Sequence, residues 1–257
     1  MLMVVFGAGA SYDSVPSRPP IPLPAAQLLD RPPLANELFA DRPRFVEAIR
    51  SFPKCQPVIP YLRHLPSDGS VEQVLEGLQA EAEEYTERHR QLAAVRFYLH
   101  LMLWECERYW NDVARGVMNY KTLLDQLERW RKSKDRICLV TFNYDTMLEA
   151  AAPAVGVEIQ SLPDYIASDR YKVIKLHGSV NWARGVDTPI DASNKNTWQV
   201  AYELIDRAPD LKISQTYRMV TEHPIGKHNG SVFFPALAIP VQSKVDYECP
   251  REHLAAC

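Results

Sequence analysis

Three short segments of the chain contain residue types that could do chemistry, and each one follows an apolar run. The last of them centres on His177, which ends the run of residues 172–177 and is followed by Gly178. A histidine whose pKa lies near neutrality can serve as a general base, although a lone histidine is more often structural. The other histidines lack such a setting (His64, His89, His100, His223, His228 and His253). We therefore predict His177 as a catalytic residue.

The second segment is Thr-Phe-Asn-Tyr-Asp at residues 141–145, at the end of the apolar run Ile-Cys-Leu-Val-Thr-Phe. Asn143 offers both a donor and an acceptor to a ligand, and Asp145 can hold a polar group nearby. The alternative is structural, because either side chain could cap a helix that begins in Thr-Met-Leu-Glu-Ala-Ala-Ala. The sequence leaves both interpretations open.

The third segment is Gly7-Ala8-Gly9-Ala10-Ser11, which follows an apolar run over Leu2–Phe6. Residues without bulky side chains let backbone N–H groups approach a phosphate, and a helix start behind them favours anions. Tight packing would also explain such small residues. The segment is not the dinucleotide fingerprint G-x-G-x-x-G, because Tyr12 stands at the position of the third glycine.

The apolar runs predict the strands that must position these segments. Continuous apolar residues without alternation indicate strands that are buried on both faces. Helical patterns separate the runs, which predicts a parallel α/β sheet, and ligands of such sheets bind outside the carboxyl ends of the strands. The three segments are therefore expected to share one site. The predicted strands are residues 2–6, 137–142, 157–160, 172–177 and one or two short strands within 231–240.

A helical pattern extends from Leu34 to Trp130, and we expect its aromatic residues to be core. The sequence thus predicts a core of residues 1–33 and 133–257 with a largely helical insertion at 34–132. Pro16–Pro33 is rich in proline, which predicts a loop that is either a surface linker or a lid over the ligand. Pro250 predicts the first residue of a helix near Cys257, either a short terminal helix or one in a chain that is cut within a larger domain.

Composition excludes several classes of protein. A net charge of −3 argues against broad nucleic-acid binding. The 5 cysteines form no C-x-x-C pair, so no structural zinc is expected, and their scatter fits a reducing compartment better than a disulfide framework. His223, His228 and Cys249 do not have a recognised metal-ligand spacing. The first residues lack a basic region and their apolar run is too short for a signal or membrane span, which predicts a cytoplasmic protein.

In this order, the three segments resemble the sirtuin signature of G-A-G-x-S, T-Q-N-x-D and H-G. The matches are residues 7–11, 141–145 and 177–178. The chain is more closely similar to divergent bacterial sirtuin-like domains, many of which are anti-phage defence effectors. Residues 32–39, 175–182 and 235–240 also resemble that family. The resemblance implies a Rossmann-like parallel sheet flanked by helices, with NAD+ as the substrate.

The resemblance also implies roles for residues. The backbone of residues 7–11 would hold the diphosphate, with Ser11 and Asp145 holding the phosphates and the nicotinamide ribose. Asn143 would contact that ribose and position a water, and His177 would activate the water or a ribose hydroxyl. Gly178 and Ser179 complete the predicted binding residues.

The chain departs from protein-deacylating sirtuins in three places. It lacks their two cysteine pairs, Phe142 replaces their glutamine, and Asp-Ser-Val-Pro-Ser-Arg-Pro-Pro replaces their G-I-P-D-F-R segment. These departures favour water as the acceptor, which predicts an NAD+ glycohydrolase (NADase) that acts alone, as a homo-oligomer or with a defence-system partner. The alternatives are a catalytically silent NAD or ADP-ribose binding module and, less favoured, a deacylase. The family's last strand is not visible in the sequence.

Overall fold

The computed structural model describes residues 1–15, 31–114, 119–132, 135–220, 226–228, 230–242 and 247–256. Most of the proline-rich segment, and His223, lie outside these ranges. Two compact units are present. The first contains residues 1–34, 103–179 and 248–257, and the second contains 35–102 and 180–247. This division differs from the expected insertion at 34–132, because residues 103–132 group with the first unit and 180–247 group with 35–102.

Seven strands form two sheets within the described residues. The first unit holds a parallel sheet in the order β1-β2-β3, and a four-stranded sheet has the order β5-β4-β7-β6. The strands are β1 (Leu2–Phe6), β2 (Ile137–Thr141), β3 (Tyr171–Lys175), β4 (Gly178–Val186), β5 (Ile213–Met219), β6 (Lys227–His228) and β7 (Ser231–Leu237). The structure therefore confirms a mixed α/β fold with a parallel sheet flanked by helices.

The α-helices are α1 (Ala8–Ser14), α2 (Pro43–Arg50), α3 (Ile59–Arg63), α4 (Val71–Glu81), α5 (Thr86–Ala114), α6 (Asn119–Trp130), α7 (Met147–Ala151), α8 (Asp164–Ala167), α9 (Thr197–Asp206) and α10 (Arg251–Ala255). Local sequence explains where some of them begin. Ser70 and Gln73 form a reciprocal capping box at α4, and Asn196 and Gln199 do so at α9. No helix of the described ranges has the length and apolarity that crossing a bilayer requires.

The strand predicted at residues 157–160 is wrong. The preceding 3₁₀ helix (Ala152–Val155) is capped by Gly156, which has a left-handed φ of 74°. The backbone N–H of Gln160 then donates to Asp164 Oδ2 at 3.0 Å instead of pairing with a strand. The pattern covers only four residues with two apolar positions, which is too short to distinguish a strand from a loop that leads into a helix.

The predicted burial of strands on both faces holds for β2 and is wrong for β1. Every residue of β2 is buried, whereas Leu2, Met3 and Val5 are 48%, 52% and 57% exposed. Edge position alone does not explain this difference, because β3 lies at the other edge of the parallel sheet and is mostly buried. The described residues cover β1 less completely than they cover β2 and β3.

The second unit contains a sheet that the sequence did not separate from the first. Residues 231–240 do hold one strand, β7, but it pairs antiparallel with β6. Gly230, with φ of 77°, immediately precedes β7. The helical part of this unit buries aromatic side chains, as expected, with the ring of Tyr98 stacked on that of Phe39 at 5.2 Å.

The end of the chain packs in the first unit. Pro250 is the N-cap of α10 rather than its first helical residue. His253 is buried with its ring stacked on that of Tyr165, and Cys249 packs in an apolar cluster against β2 and β3. Cys138 is disulfide-bonded, whereas Cys55, Cys106 and Cys249 are not. The disulfide differs from the expectation, because the scattered cysteines had favoured a reducing compartment.

Candidate functional site

The carboxyl ends of the first two strands are joined by hydrogen bonds between residues of the predicted site. β1 runs into Gly7, and β2 runs into the segment that carries Asn143 and Asp145. Asn143 Nδ2 donates to the carbonyl oxygen of Gly7 at 2.9 Å, and Ser11 Oγ donates to Asp145 Oδ2 at 2.7 Å. Because β1 and β2 are adjacent and parallel, their carboxyl ends meet at one edge of the sheet.

The orientation of the Asn143 amide is set by its partners. The carbonyl oxygen of Gly7 can only accept, so the amide nitrogen of Asn143 must face it. The same nitrogen lies 2.8 Å from Ser11 Oγ and 2.9 Å from Tyr120 Oη. Its Oδ1 accepts no hydrogen bond from the residues that the structure describes. Asn143 is therefore not a helix cap, and it offers an acceptor.

Asp145 has both a structural and a site contact. Its Oδ1 accepts from the backbone N–H of Met147, the first residue of α7, at 3.0 Å. The N-cap position itself is held by Thr146, so Asp145, which the structural alternative predicted as a cap, supports the start of the helix from one residue before the cap. Its Oδ2 accepts from Ser11. Burial raises the pKa of Asp145, while the charge of Lys175 and the bond from Ser11 oppose that rise.

A buried lysine lies beneath this segment. Lys175, the last residue of β3, is 0% exposed, and its Nζ donates to the backbone oxygen of Asp145 and, at 2.8 Å, to Glu149 Oε1. Tyr165 Oη also donates to Glu149 Oε1, at 2.9 Å. The positive charge of Lys175 is thus paired with the carboxylate of Glu149 and bonded to the backbone of the strand-end segment.

A third carboxyl group comes from α5. Glu107 is buried, and its Oε1 accepts from the backbone N–H of Thr146 at 2.6 Å and from the Thr146 hydroxyl. Burial, with the nearby charge of Asp145, raises the pKa of Glu107 to about 7. The segment from Asp145 to Thr146 is therefore held by Lys175 at Asp145 and by Glu107 at Thr146.

His177 lies two residues beyond the end of β3. Its ring is half-buried and makes an edge contact with Phe142 at 4.8 Å between centroids, and lies 5.9 Å from Tyr144. Gly178 adopts a φ of 78°, which other residues rarely do, so glycine is required directly after the histidine. The hydroxyl of Ser179 is buried and donates to the backbone oxygen of Tyr144 at 3.3 Å, so Ser179 supports the strand-end segment.

The glycine segment is the first turn of a helix. Gly7 is the extended N-cap of α1, which begins at Ala8. A methyl group placed at Gly7 or Gly9 would meet no atom within 4 Å, and both residues are exposed. Close packing therefore does not account for these glycines, and open space lies beside the backbone where a ligand was predicted.

Sequence reasoning missed Tyr120, Glu107 and Lys175. Tyr120 of α6 is buried with its hydroxyl 2.9 Å from Ser11 Oγ. Its helical spacing with Leu124 indicates a residue of the hydrophobic core, and nothing in the sequence shows which groups its hydroxyl contacts. Lys175 did carry a signal, since a charged residue in an apolar strand needs a buried partner.

No protein-family model matches the chain, and a search of curated proteins returns no match. The resemblance to sirtuins therefore stays a prediction from the three sequence motifs. The structure joins residues of the first two motifs by hydrogen bonds, and His177 contacts the rings of Phe142 and Tyr144. Across the described ranges, no group of three or more His, Cys, Asp or Glu side chains is arranged to hold a metal ion.

Proposed function

We propose that the chain is an NAD+ glycohydrolase that cleaves NAD+ to nicotinamide and ADP-ribose. One observation carries the proposal: Ser11, Asn143 and Asp145, from two of the three motifs, form one hydrogen-bonded cluster beside open space at Gly9. A dinucleotide needs a backbone that it can approach closely, and that backbone must lie next to polar groups that orient its ribose.

The reaction breaks the bond between C1′ of the ribose and the nicotinamide nitrogen. The electron pair of that bond leaves with nicotinamide, and the ribose passes through an oxocarbenium-like state. A water oxygen bonds to C1′, and its proton passes to a base. In this proposal Asn143 Oδ1 accepts a hydrogen bond from the water or a ribose hydroxyl, and His177 is the base. The carboxylate of Asp145 stabilises the positive charge that develops.

Water is the proposed acceptor because of what surrounds His177. The ring of Phe142 is in edge contact with the imidazole, at the position where deacylating sirtuins have glutamine. An aromatic ring there offers no polar contact to an acyl-lysine peptide. A deacylase therefore has less support.

A second candidate is a catalytically silent module that binds NAD+ or ADP-ribose. One observation favours it: the Asn143 amide hydrogens and the Ser11 hydroxyl are already bonded to protein groups. Such a cluster could shape a binding site without doing chemistry.

The resemblance to defence effectors also suggests a biological role and a location for the activity. The activity would deplete NAD+ as part of anti-phage defence in the cytoplasm, with a second copy of the chain or a defence-system protein as partner. The proposed reaction uses NAD+ as substrate and needs no zinc. The net charge of −3 gives no support for a nucleic-acid partner.

The test separates the two candidates. Purified protein is incubated with NAD+, nicotinamide and ADP-ribose are measured by chromatography, and ADP-ribose binding is measured by calorimetry. Product formation supports the glycohydrolase. Binding of ADP-ribose without product formation, at all protein concentrations, supports the silent module. If the protein neither forms product nor binds ADP-ribose, both candidates fail.

A further inference from the structure

The hydroxyl of Tyr120 lies inside the hydrogen-bonded cluster of the site. Its oxygen is 2.9 Å from Asn143 Nδ2 and 2.9 Å from Ser11 Oγ. The ring is 2% exposed and makes an edge contact with Phe6, the last residue of β1, at 5.2 Å between centroids. α6 thus places one polar atom between the ends of β1 and β2.

The number of hydrogens fixes the direction of these bonds. Ser11 has one hydroxyl hydrogen, which it donates to Asp145 Oδ2. Ser11 Oγ must therefore accept from Tyr120, and Tyr120 Oη in turn accepts from the amide of Asn143. Burial raises the pKa of Tyr120 above its usual value, so the phenol keeps the hydrogen that it donates.

The direction of the chain fits an ionised Asp145. A protonated Asp145 would donate to Ser11, and Ser11 would then donate to Tyr120. The Tyr120 hydrogen would be left facing the Asn143 amide nitrogen, which cannot accept. With Asp145 ionised, each hydrogen of the chain from Asn143 through Tyr120 and Ser11 to Asp145 has an acceptor.

We infer that Tyr120 is a positioning residue, which holds the Asn143 amide so that Oδ1 is presented to the substrate. With Tyr120 Oη and the carbonyl oxygen of Gly7 both taking amide hydrogens, a flipped amide would lose two bonds and set oxygen against oxygen. The effect of Tyr120 on catalysis rests on the proposed function, whereas its coupling to Asn143 does not.

The first test is Tyr120→Phe, which keeps the ring and removes the hydroxyl. We expect kcat for NAD+ cleavage to fall about tenfold, since the loss of one hydrogen bond of about 1.4 kcal/mol corresponds to that factor. KM should change by less than about twofold, because the contact matters most in the transition state. A variant with the kcat of the wild type would overturn the inference.

The matched control is Tyr171→Phe. Tyr171 is also buried, and its hydroxyl donates to Glu128 Oε2 at 2.6 Å at the beginning of β3, away from the strand ends. It should lower the denaturation midpoint without lowering kcat. An equal fall in kcat for both variants would show that Tyr120 acts only through stability.

The second test does not depend on activity. Urea midpoints are measured for Tyr120→Phe, Asn143→Ala and the double variant. Because the two side chains share a hydrogen bond, the double variant should lose clearly less than the sum of the single losses. Additive losses would overturn the inference. If the wild type does not cleave NAD+, the proposed function fails and this cycle alone decides the role of Tyr120.

Discussion

Glu107 should make the stability of the protein depend on pH in an unusual direction. Its carboxyl group is 7% exposed, and one oxygen accepts two hydrogen bonds from Thr146. Burial, and secondarily the charge of Asp145, raises its pKa from 4.5 to about 7. The perturbation is Glu107→Gln, which keeps an acceptor oxygen and removes the titration.

The magnitude follows from the shift in pKa. A rise of roughly 2.5 units at 1.36 kcal/mol per unit corresponds to about 3 kcal/mol. Between pH 4.5 and about 7 the folded protein holds a proton on Glu107 that the unfolded chain has lost. The folded state binds more protons in that window, so the contribution of Glu107 to stability is present below it and is lost as pH rises to about 7.

The assay is urea denaturation at about pH 5 and about pH 8 for the wild type, for Glu107→Gln and for Glu84→Gln, an exposed control. Relative to the wild type, Glu107→Gln should gain up to about 3 kcal/mol in unfolding free energy between the two pH values. The control should gain nothing. A difference between the wild type and Glu107→Gln that stays constant with pH, or changes in the opposite direction, would refute the reasoning.

Three further perturbations test the elements around the site. Lys175→Met should cost about 3–5 kcal/mol in unfolding free energy by urea denaturation, because it leaves Glu149 buried without its cation. Adding Glu149→Leu should recover much of the loss. A loss below about 1 kcal/mol would contradict the buried pair. Gly9→Val should sharply weaken NAD+ binding measured by calorimetry. It should cost less than about 1 kcal/mol of stability, since a Cβ atom placed at Gly9 meets no atom within 4 Å. Unchanged affinity would place the ligand elsewhere. Val5→Thr should change stability by less than about 0.5 kcal/mol, because Val5 is 57% exposed. Val140→Thr, at its 7% exposed neighbour in register, should cost about 1–3 kcal/mol, and equal losses would contradict the difference in burial between β1 and β2.

The strands show how far an apolar pattern can be taken. Residues 2–6 and 137–142 have the same continuous apolar pattern, and both are strands close to the predicted bounds. Their burial differs because the side chains that cover each strand come from distant segments, which a local apolar pattern does not show. The antiparallel sheet was missed for a similar reason, since β4 and β5 are separated by α9 and their pairing leaves no local signal.

Part of the candidate site was predictable. Parallel strands bring their carboxyl ends together, so the contact of Ser11 and Asn143 with Asp145 and Gly7 follows from the order of the motifs. The contribution of Tyr120 was not predictable, because it depends on how α6 packs against Phe6.

The position of the substrate beside these residues is the central claim, and NAD+ cleavage by paired variants tests it most directly. Wild type, His177→Ala, Asn143→Ala and His89→Ala are incubated with NAD+, and nicotinamide release is followed by chromatography. His89 is an exposed histidine of α5 and serves as the matched control. The account predicts that the wild type and His89→Ala release nicotinamide at the same rate, and that the two site variants are folded but release none. Wild-type rates in both site variants would contradict it.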